Sequence, residues 1–282
     1  MTEVYIASAF CKDGKGGNKA GVVLSRPDLT VAEKQRIAAE LGFSETVFVH
    51  REDDTHFVLE YFTPTDEVPL CGHATVAAFF TLNHLGLLDR RDCTIRTGAG
   101  ELAVSLEEDG MVLMEQTLPR YYDQLPSDLF DGCFARQAIL SSLPIQIVST
   151  GLKDILLPIS SPDELEQLSP DFPAIEEVSR QQDVVGIHAF ALSPEPGVTA
   201  LCRNFAPLYG IDEESATGTS NCALACYLFR YHHQQDFYVF DQGHSLGAPS
   251  RITARIVHHD GVIDRVFVGG YGSLEEKRLL PI

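Results

Sequence analysis

Basic residues are scarce in this chain. Its 282 residues carry 21 Lys and Arg against 40 Asp and Glu, a formal net charge of −19. A chain this negative repels phosphate backbones and anionic lipid surfaces, so neither nucleic acid nor a membrane is an expected partner. Most of the charge reads as a solvated acidic exterior. A small anionic substrate stays compatible with it, because a local site can oppose the global field. No apolar run approaches the roughly 18 residues of a membrane span. The first residues lack the basic region and apolar core of a secretion signal and run directly into a strand-like segment, Val4 to Phe10. No CxxC pair occurs among the seven cysteines Cys11, Cys71, Cys93, Cys133, Cys202, Cys222 and Cys226, whose number is odd and whose spacing is irregular. That pattern argues for reduced thiols in a cytoplasmic protein, not a disulfide framework or a zinc site. There is no GxGxxG, and the glycines before Asn18 lack the Lys-Ser/Thr pair of a phosphate loop. No His and carboxylate cluster shows metal spacing. The expectation is a protein with no metal and no cofactor.

What is present is enough apolar residue, 44%, to bury a sizeable core in one large domain or two ordinary ones. Val4–Ala7, Gly21–Leu24, Thr46–Val49 and Phe57–Phe62 read as strands. Thr30 can cap a helix with Glu33 three residues on, Ile37, Ala38 and Leu41 form its apolar stripe, and Gly42 ends it. Ala74 to Leu82 is apolar on all sides, the mark of a buried helix. The second half repeats this order. Asp154–Ile159 is a strand, Ser161-Pro162 opens a helical stretch through Leu165 and Leu168, Val184–Leu192 is a strand, and Cys222–Phe229 is a second apolar helix. Phe62-Thr63-Pro64 is answered by Phe205-Ala206-Pro207 after 143 positions, and Gly72 by Gly218 after 146. Such nearly equal offsets predict a duplicated unit, with halves 1–120 and 121–270 joined near Leu118 to Pro126. Many short strands around one apolar helix per half predict a curved sheet wrapped on a central helix, with a ligand cleft where two such halves meet.

Two glycine turns, at Gly72 and Gly218, each lead into one of these helices. A helix start offers backbone N–H donors and a favourable dipole, so the pair can grip a carboxylate. Taken singly, each is also what an ordinary capped helix looks like. Glu45 enters an apolar strand, where partial desolvation would suit a general acid–base group; an exposed strand-end glutamate is the plainer alternative. His73 can donate to a substrate or simply pack as a hydrogen-bonded histidine. Cys71 can be a helix-activated thiolate or a small buried residue. Glu213 and Glu214 precede the second turn, where acidic groups also favour the dipole. The stretches Tyr121–Ser142 and Val198–Arg203 are candidates for shaping a pocket.

With these residues in view, the chain resembles the phenazine-biosynthesis PhzF-like isomerase family. The likeness runs through Gly17 to Val23, Leu41 to Val49, Phe62-Thr63-Pro64 to Glu67-Val68, Cys71-Gly72-His73-Ala74-Thr75, Ala216-Thr217-Gly218-Thr219, Gln242-Gly243 and Gly247 to Ser250. The resemblance implies the α+β diaminopimelate-epimerase-like fold: two pseudo-symmetric halves, each a mostly antiparallel sheet rolled around a central buried helix, with the tail 271–282 returning to the first. It implies a cofactor-independent isomerase in which Glu45 moves a proton between substrate carbons. It places Asn18, Cys71, Gly72, His73, Ala74, Glu214, Thr217, Gly218, Thr219 and Ser220 around a small, anionic substrate, in a possible homodimer. Lys19 stands where the family usually has proline, and Glu214 where the phenazine enzyme has Asp, which argues against the phenazine precursor as substrate. Thr217 holds the place of the partner cysteine of related epimerases, and a hydroxyl is a poor base, so a two-thiol racemase is disfavoured. A one-thiol epimerase using Cys71 and a non-catalytic small-molecule binding protein remain open.

Overall fold

A computed structural model describes residues 1–24, 29–134 and 138–281. The strands and helices run β1 (Thr2–Ala9), β2 (Asn18–Leu24), α1 (Val31–Leu41), β3 (Glu45–Arg51), β4 (His56–Phe62), β5 (Glu67–Val68), α2 (Gly72–His84), β6 (Asp92–Thr97), β7 (Gly100–Leu106) and β8 (Val112–Gln116). They continue with β9 (Arg120–Gln124), β10 (Gln146–Ser149), β11 (Lys153–Ile159), α3 (Pro162–Glu166), α4 (Phe172–Gln182), β12 (Gly186–Leu192), β13 (Ala200–Ala206), β14 (Ile211–Glu214), α5 (Gly218–Tyr231), β15 (Phe237–Gln242), β16 (Ser250–His259), β17 (Val262–Gly270) and β18 (Gly272–Leu280). Contacts divide the chain into one unit of Met1–Glu115 with Gly269–Ile282 and another of Gln116–Val268.

In the first unit the sheet order is β18-β1-β2-β3-β4-β6-β7-β8. All these pairs are antiparallel except β2 with β3 and β4 with β6. A parallel pair cannot be closed by a tight turn and needs a crossover, which α1 supplies for the first and α2 for the second. The second unit repeats the order as β9-β10-β11-β12-β13-β15-β16, with β11–β12 and β13–β15 as its parallel pairs. There α3 and α4 make the first crossover and α5 the second. The fold is therefore α+β, and the duplication legible in the sequence is a duplication of strand order.

In each unit the sheet is covered on both faces. The central helix α2, apolar all round, packs on β1, β2, β3 and β18, and α5 on β10, β11 and β16. On the other face of the first sheet, Ile37, Ala38 and Leu41 of α1 pack with Val23, Phe48 and Phe62. Enclosing side chains such as Ile37 contributes roughly 1.5–3 kcal/mol each. In the second unit Leu165 of α3 and Ile175 and Val178 of α4 pack with Ile155, Leu157, Ile187 and Phe205. The ends of α1 follow the sequence pattern. Thr30 Oγ1 accepts from the Glu33 N–H at 3.3 Å while Glu33 Oε2 accepts from the Thr30 N–H at 2.8 Å. Gly42 closes the helix in the left-handed region at φ 68°.

Two local expectations are corrected, and a third stretch is located. The helical stretch expected from Ser161-Pro162 through Leu168 stops at Glu166, and an amphipathic helix, α4, follows it. Val198–Arg203, a candidate for shaping a pocket, largely belongs to β13, an interior strand. Gly72 and Gly218 are first residues of their helices, and neither has a positive φ. They are not turn glycines.

Candidate active site

In the first unit three segments bring polar side chains together. Glu45 is the first residue of β3 and pairs with Ala20 of β2, whose own first residue is Asn18. Cys71 caps α2 with an extended backbone, and Gly72, His73 and Ala74 form its first turn. His73 is the hub. Its Nε2 lies 3.2 Å from Glu45 Oε2 and 3.3 Å from Ser44 Oγ, while its Nδ1 lies 3.4 Å from both Asn18 Nδ2 and Cys71 Sγ. Burial pushes the His73 imidazole below its ordinary range, and the Glu45 carboxylate partly opposes that. A neutral ring beside a carboxylate donates one hydrogen bond and leaves the other nitrogen as an acceptor. Although near the imidazole, Glu45 Oε2 is buried without a properly aligned hydrogen-bond donor. A carboxylate oxygen that accepts no hydrogen bond retains the capacity to accept a proton.

No side chain caps α2 or α5. The first intrahelical backbone bonds run from Thr75 N–H to Cys71 O at 3.1 Å and from Asn221 N–H to Thr217 O at 3.3 Å. The preceding N–H groups, of Gly72 to Ala74 and of Gly218 to Ser220, therefore point along the helix axes at the positive end of the dipole. Beneath α2, Thr75 Oγ1 donates to Cys71 O at 2.7 Å and Tyr61 Oη bonds Thr75 Oγ1 at 2.7 Å. These fix the turn that carries Cys71.

The second unit places Glu214 at the end of β14 and Thr217 as the cap of α5. Thr217 Oγ1 donates to Glu214 Oε2 at 2.7 Å and accepts from Gln242 Nε2 at 3.1 Å. Gln242 also donates to Glu214 O at 2.8 Å and accepts from Asn221 Nδ2 at 2.7 Å. The one proton of the Thr217 hydroxyl is thus committed to orienting Glu214. Gly243 carries the chain away at φ 79°, where a Cβ would stand 2.3 Å from Ala248 O and 2.6 Å from Ser215 O. Glu213 faces elsewhere: both its oxygens accept from Arg203 at 2.8 Å, and Arg203 also donates to Leu168 O at 2.7 Å. Arg203 thereby ties β13 both to Glu213 and to the end of α3 with the residues after it.

Ser220 turns inward. Its Oγ donates to Asp154 Oδ2 at 2.7 Å and lies 3.3 Å from Asn204 Nδ2, which also contacts His188 Nδ1 at 3.1 Å. Asp154, His188, Asn204, Ser220 and Asn221 are all fully buried. Burial drives the Asp154 carboxyl up to about 7 and the His188 imidazole down to about 4.

Asn18, Glu45, Cys71, Gly72, His73 and Ala74 therefore come together in the first unit, and Glu214, Thr217, Gly218, Thr219 and Ser220 in the second. The buried supports were not read from the sequence. Gln242 stood only in a family-like dipeptide, Asp154 and His188 in expected strands and Asn204 in no expected element, because nothing in a linear pattern marks which polar side chains will meet.

The phenazine biosynthesis-like protein family (PhzC-PhzF) matches residues 7–278. The chain is 33% identical over 285 residues to the uncharacterized isomerase YddE of Escherichia coli, covering 95% of this chain and 94% of that protein. It superimposes on a crystal structure of the Bacillus anthracis phenazine biosynthesis protein, PhzF family, with a TM-score of 0.90 at 28% identity, covering 100% and 99% of the two chains. A hydroxyproline epimerase from Agrobacterium vitis shares the fold alone, with a TM-score of 0.61 at 10% identity, covering 98% and 90%.

Proposed function

Because the chain belongs to the phenazine biosynthesis-like (PhzC-PhzF) family, we propose that it is an isomerase that moves a proton within a small carboxylate-bearing metabolite, with Glu45 as general acid–base and without metal or cofactor. The observation that carries this reading is the Glu45 carboxylate, half-buried 3.2 Å from the ring of a buried His73 at the uncapped start of α2. Glu45 takes a proton from a carbon acidified by a neighbouring carbonyl, carboxylate or alkene and returns it to another carbon of the same molecule, so the composition is unchanged. Neutral His73 donates a hydrogen bond without adding a positive charge. The N–H groups of Gly72 to Ala74 hold a carboxylate and stabilise developing negative charge. In the second unit, Glu214, Thr217, Gly218, Thr219 and Ser220 are assigned to substrate contact. Ser220 contributes its N–H, since its hydroxyl is bound to Asp154. The proposal extends to an anionic substrate and a cytoplasmic homodimer.

The test is a metabolite screen for solvent deuterium incorporation, comparing the native protein with Glu45→Gln. A positioned acid–base group contributes about 10²–10⁴-fold, so incorporation should fall by at least that factor. Undiminished exchange in the variant refutes the assignment, and binding without exchange in the native protein refutes catalysis. A second reading, a one-thiol epimerase, draws on the 3.4 Å approach of Cys71 Sγ to His73 Nδ1. Cys71→Ser separates the two: modest loss supports Glu45 chemistry, near-complete loss the thiol.

A further inference from the structure

We propose that Glu45, Cys71 and His73 together form a capture site for a thiophilic divalent cation of the zinc class. One ligand atom from each lies within 4.8 Å of the others. The two separations from His73 can be set against a tetrahedron. Its edge is about 1.6 times the metal–ligand distance, which for zinc with N, O and S donors gives roughly 3.3–3.7 Å. His73 Nε2 stands 3.2 Å from Glu45 Oε2 and 3.9 Å from Cys71 Sγ, and because the sulfur lies nearer Nδ1, at 3.4 Å, it joins a metal on Nε2 by rotation of the Cys71 side chain. The carboxylate oxygen is available, being buried without a hydrogen bond.

Nitrogen, sulfur and oxygen in one set exclude magnesium and calcium, which take oxygen donors, and suit zinc. Three protein ligands leave a fourth position open to water. Asn18 Nδ2 meets the other ring nitrogen at 3.4 Å, and a flip of this amide on metal binding would let Oδ1 accept from the Nδ1–H and orient the imidazole from outside the ligand set. On binding, the Cys71 S–H bond breaks, its proton goes to solvent, and a sulfur–metal bond forms with no change of oxidation state. All seven cysteines are buried, and the other six stand apart from this cluster. None of them joins a ligand cluster among the described residues. Positions 45, 71 and 73 follow no linear metal motif, because β3 and the start of α2 meet only in the fold. A cation held here would occupy Glu45 and block proton transfer. That consequence rests on the proposed function, whereas the binding itself does not.

The test is titration of the full chain, stripped with a chelator, with Co²⁺ as a spectroscopic stand-in and then Zn²⁺ in competition. The expected result is one equivalent giving a thiolate-to-cobalt charge-transfer band with intense tetrahedral visible bands, both displaced by Zn²⁺. The charge-transfer band should vanish in Cys71→Ser, and His73→Asn should weaken binding by at least the ~10–100-fold that losing even an outer partner costs. Circular dichroism establishes that each variant is folded, and His73→Asn decides the matter if Cys71→Ser is not. A native spectrum no different from hydrated cobalt, a charge-transfer band that persists in folded Cys71→Ser, or unchanged affinity in His73→Asn overturns the proposal. Solvent exchange in Glu45→Gln is read separately, so the two proposals fail independently.

Discussion

Asp154 carries a proton cost that depends on pH. The carboxyl is wholly enclosed, accepts from Ser220 Oγ at 2.7 Å through Oδ2, and has no partner at Oδ1. Burial raises it from 3.8 to about 7, with the Ser220 bond opposing the rise. In the unfolded chain it titrates near its ordinary ~3.9. A carboxyl raised on folding contributes stability that is fully present below about pH 4 and lost as pH rises through about 7. Asn at this position keeps an acceptor for Ser220 and removes the ionisation. Between pH 5 and pH 9 the native protein should therefore lose stability relative to Asp154→Asn. The two units separating pH 5 from about 7, at ~1.4 kcal/mol each, make that loss about 3 kcal/mol. Any pH-independent penalty of the new amide cancels in the difference. His188 does not interfere, because burial keeps it neutral over this window. Urea unfolding at pH 5, 7 and 9, followed by circular dichroism, measures the change. A native-minus-variant difference that stays constant across the three values refutes the argument that burial raises this carboxyl.

Three further outcomes follow from the same contacts. The His73 ring should titrate below the usual ~6.5 in an NMR pH series, and Glu45→Gln should lower the midpoint again by removing the carboxylate that favours the charged form; a midpoint at or above the ordinary value contradicts the burial argument. Arg203→Ala leaves the half-buried Glu213 without its two 2.8 Å donors, though still bonded by Ser245, and should cost about 1–3 kcal/mol in denaturant unfolding, whereas no measurable cost would show the pair to be solvated. Thr217→Val removes the hydroxyl that holds Glu214 and should weaken substrate binding while leaving the melting temperature within a few degrees; unchanged affinity would mean that Glu214 needs no such support.

Much of the fold was legible because periodicity is local. The box of Thr30 and Glu33, the stripe of Ile37, Ala38 and Leu41, and the unbroken apolar run after Gly72 each specify their element without reference to the rest of the chain. α4 was missed because its stripe of Ile175, Val178 and Ser179 is interrupted by charged and polar residues and carries little apolar length. β13 was missed for a related reason: Arg203 and Asn204 look like loop residues until Glu213 pairs one and Ser220 and His188 meet the other.

The sequence by itself determined the repeated order of elements and the two apolar helices, each with a glycine shortly before its apolar run. It also indicated Glu45, Cys71 and His73 one by one. Those features depend on spacing along the chain and on residue chemistry, which are written directly in the order of residues. Only the tertiary structure decided which of them touch. Pairing of β2 with β3 and the seating of α2 bring Asn18, Glu45, Cys71 and His73 within a few ångströms, while β15 delivers Gln242 to Glu214 and Thr217. Contact between residues tens of positions apart follows from strand register and helix packing, and a one-residue slip in register would turn the strand residues Asn18, Glu45 and Gln242 to the opposite face.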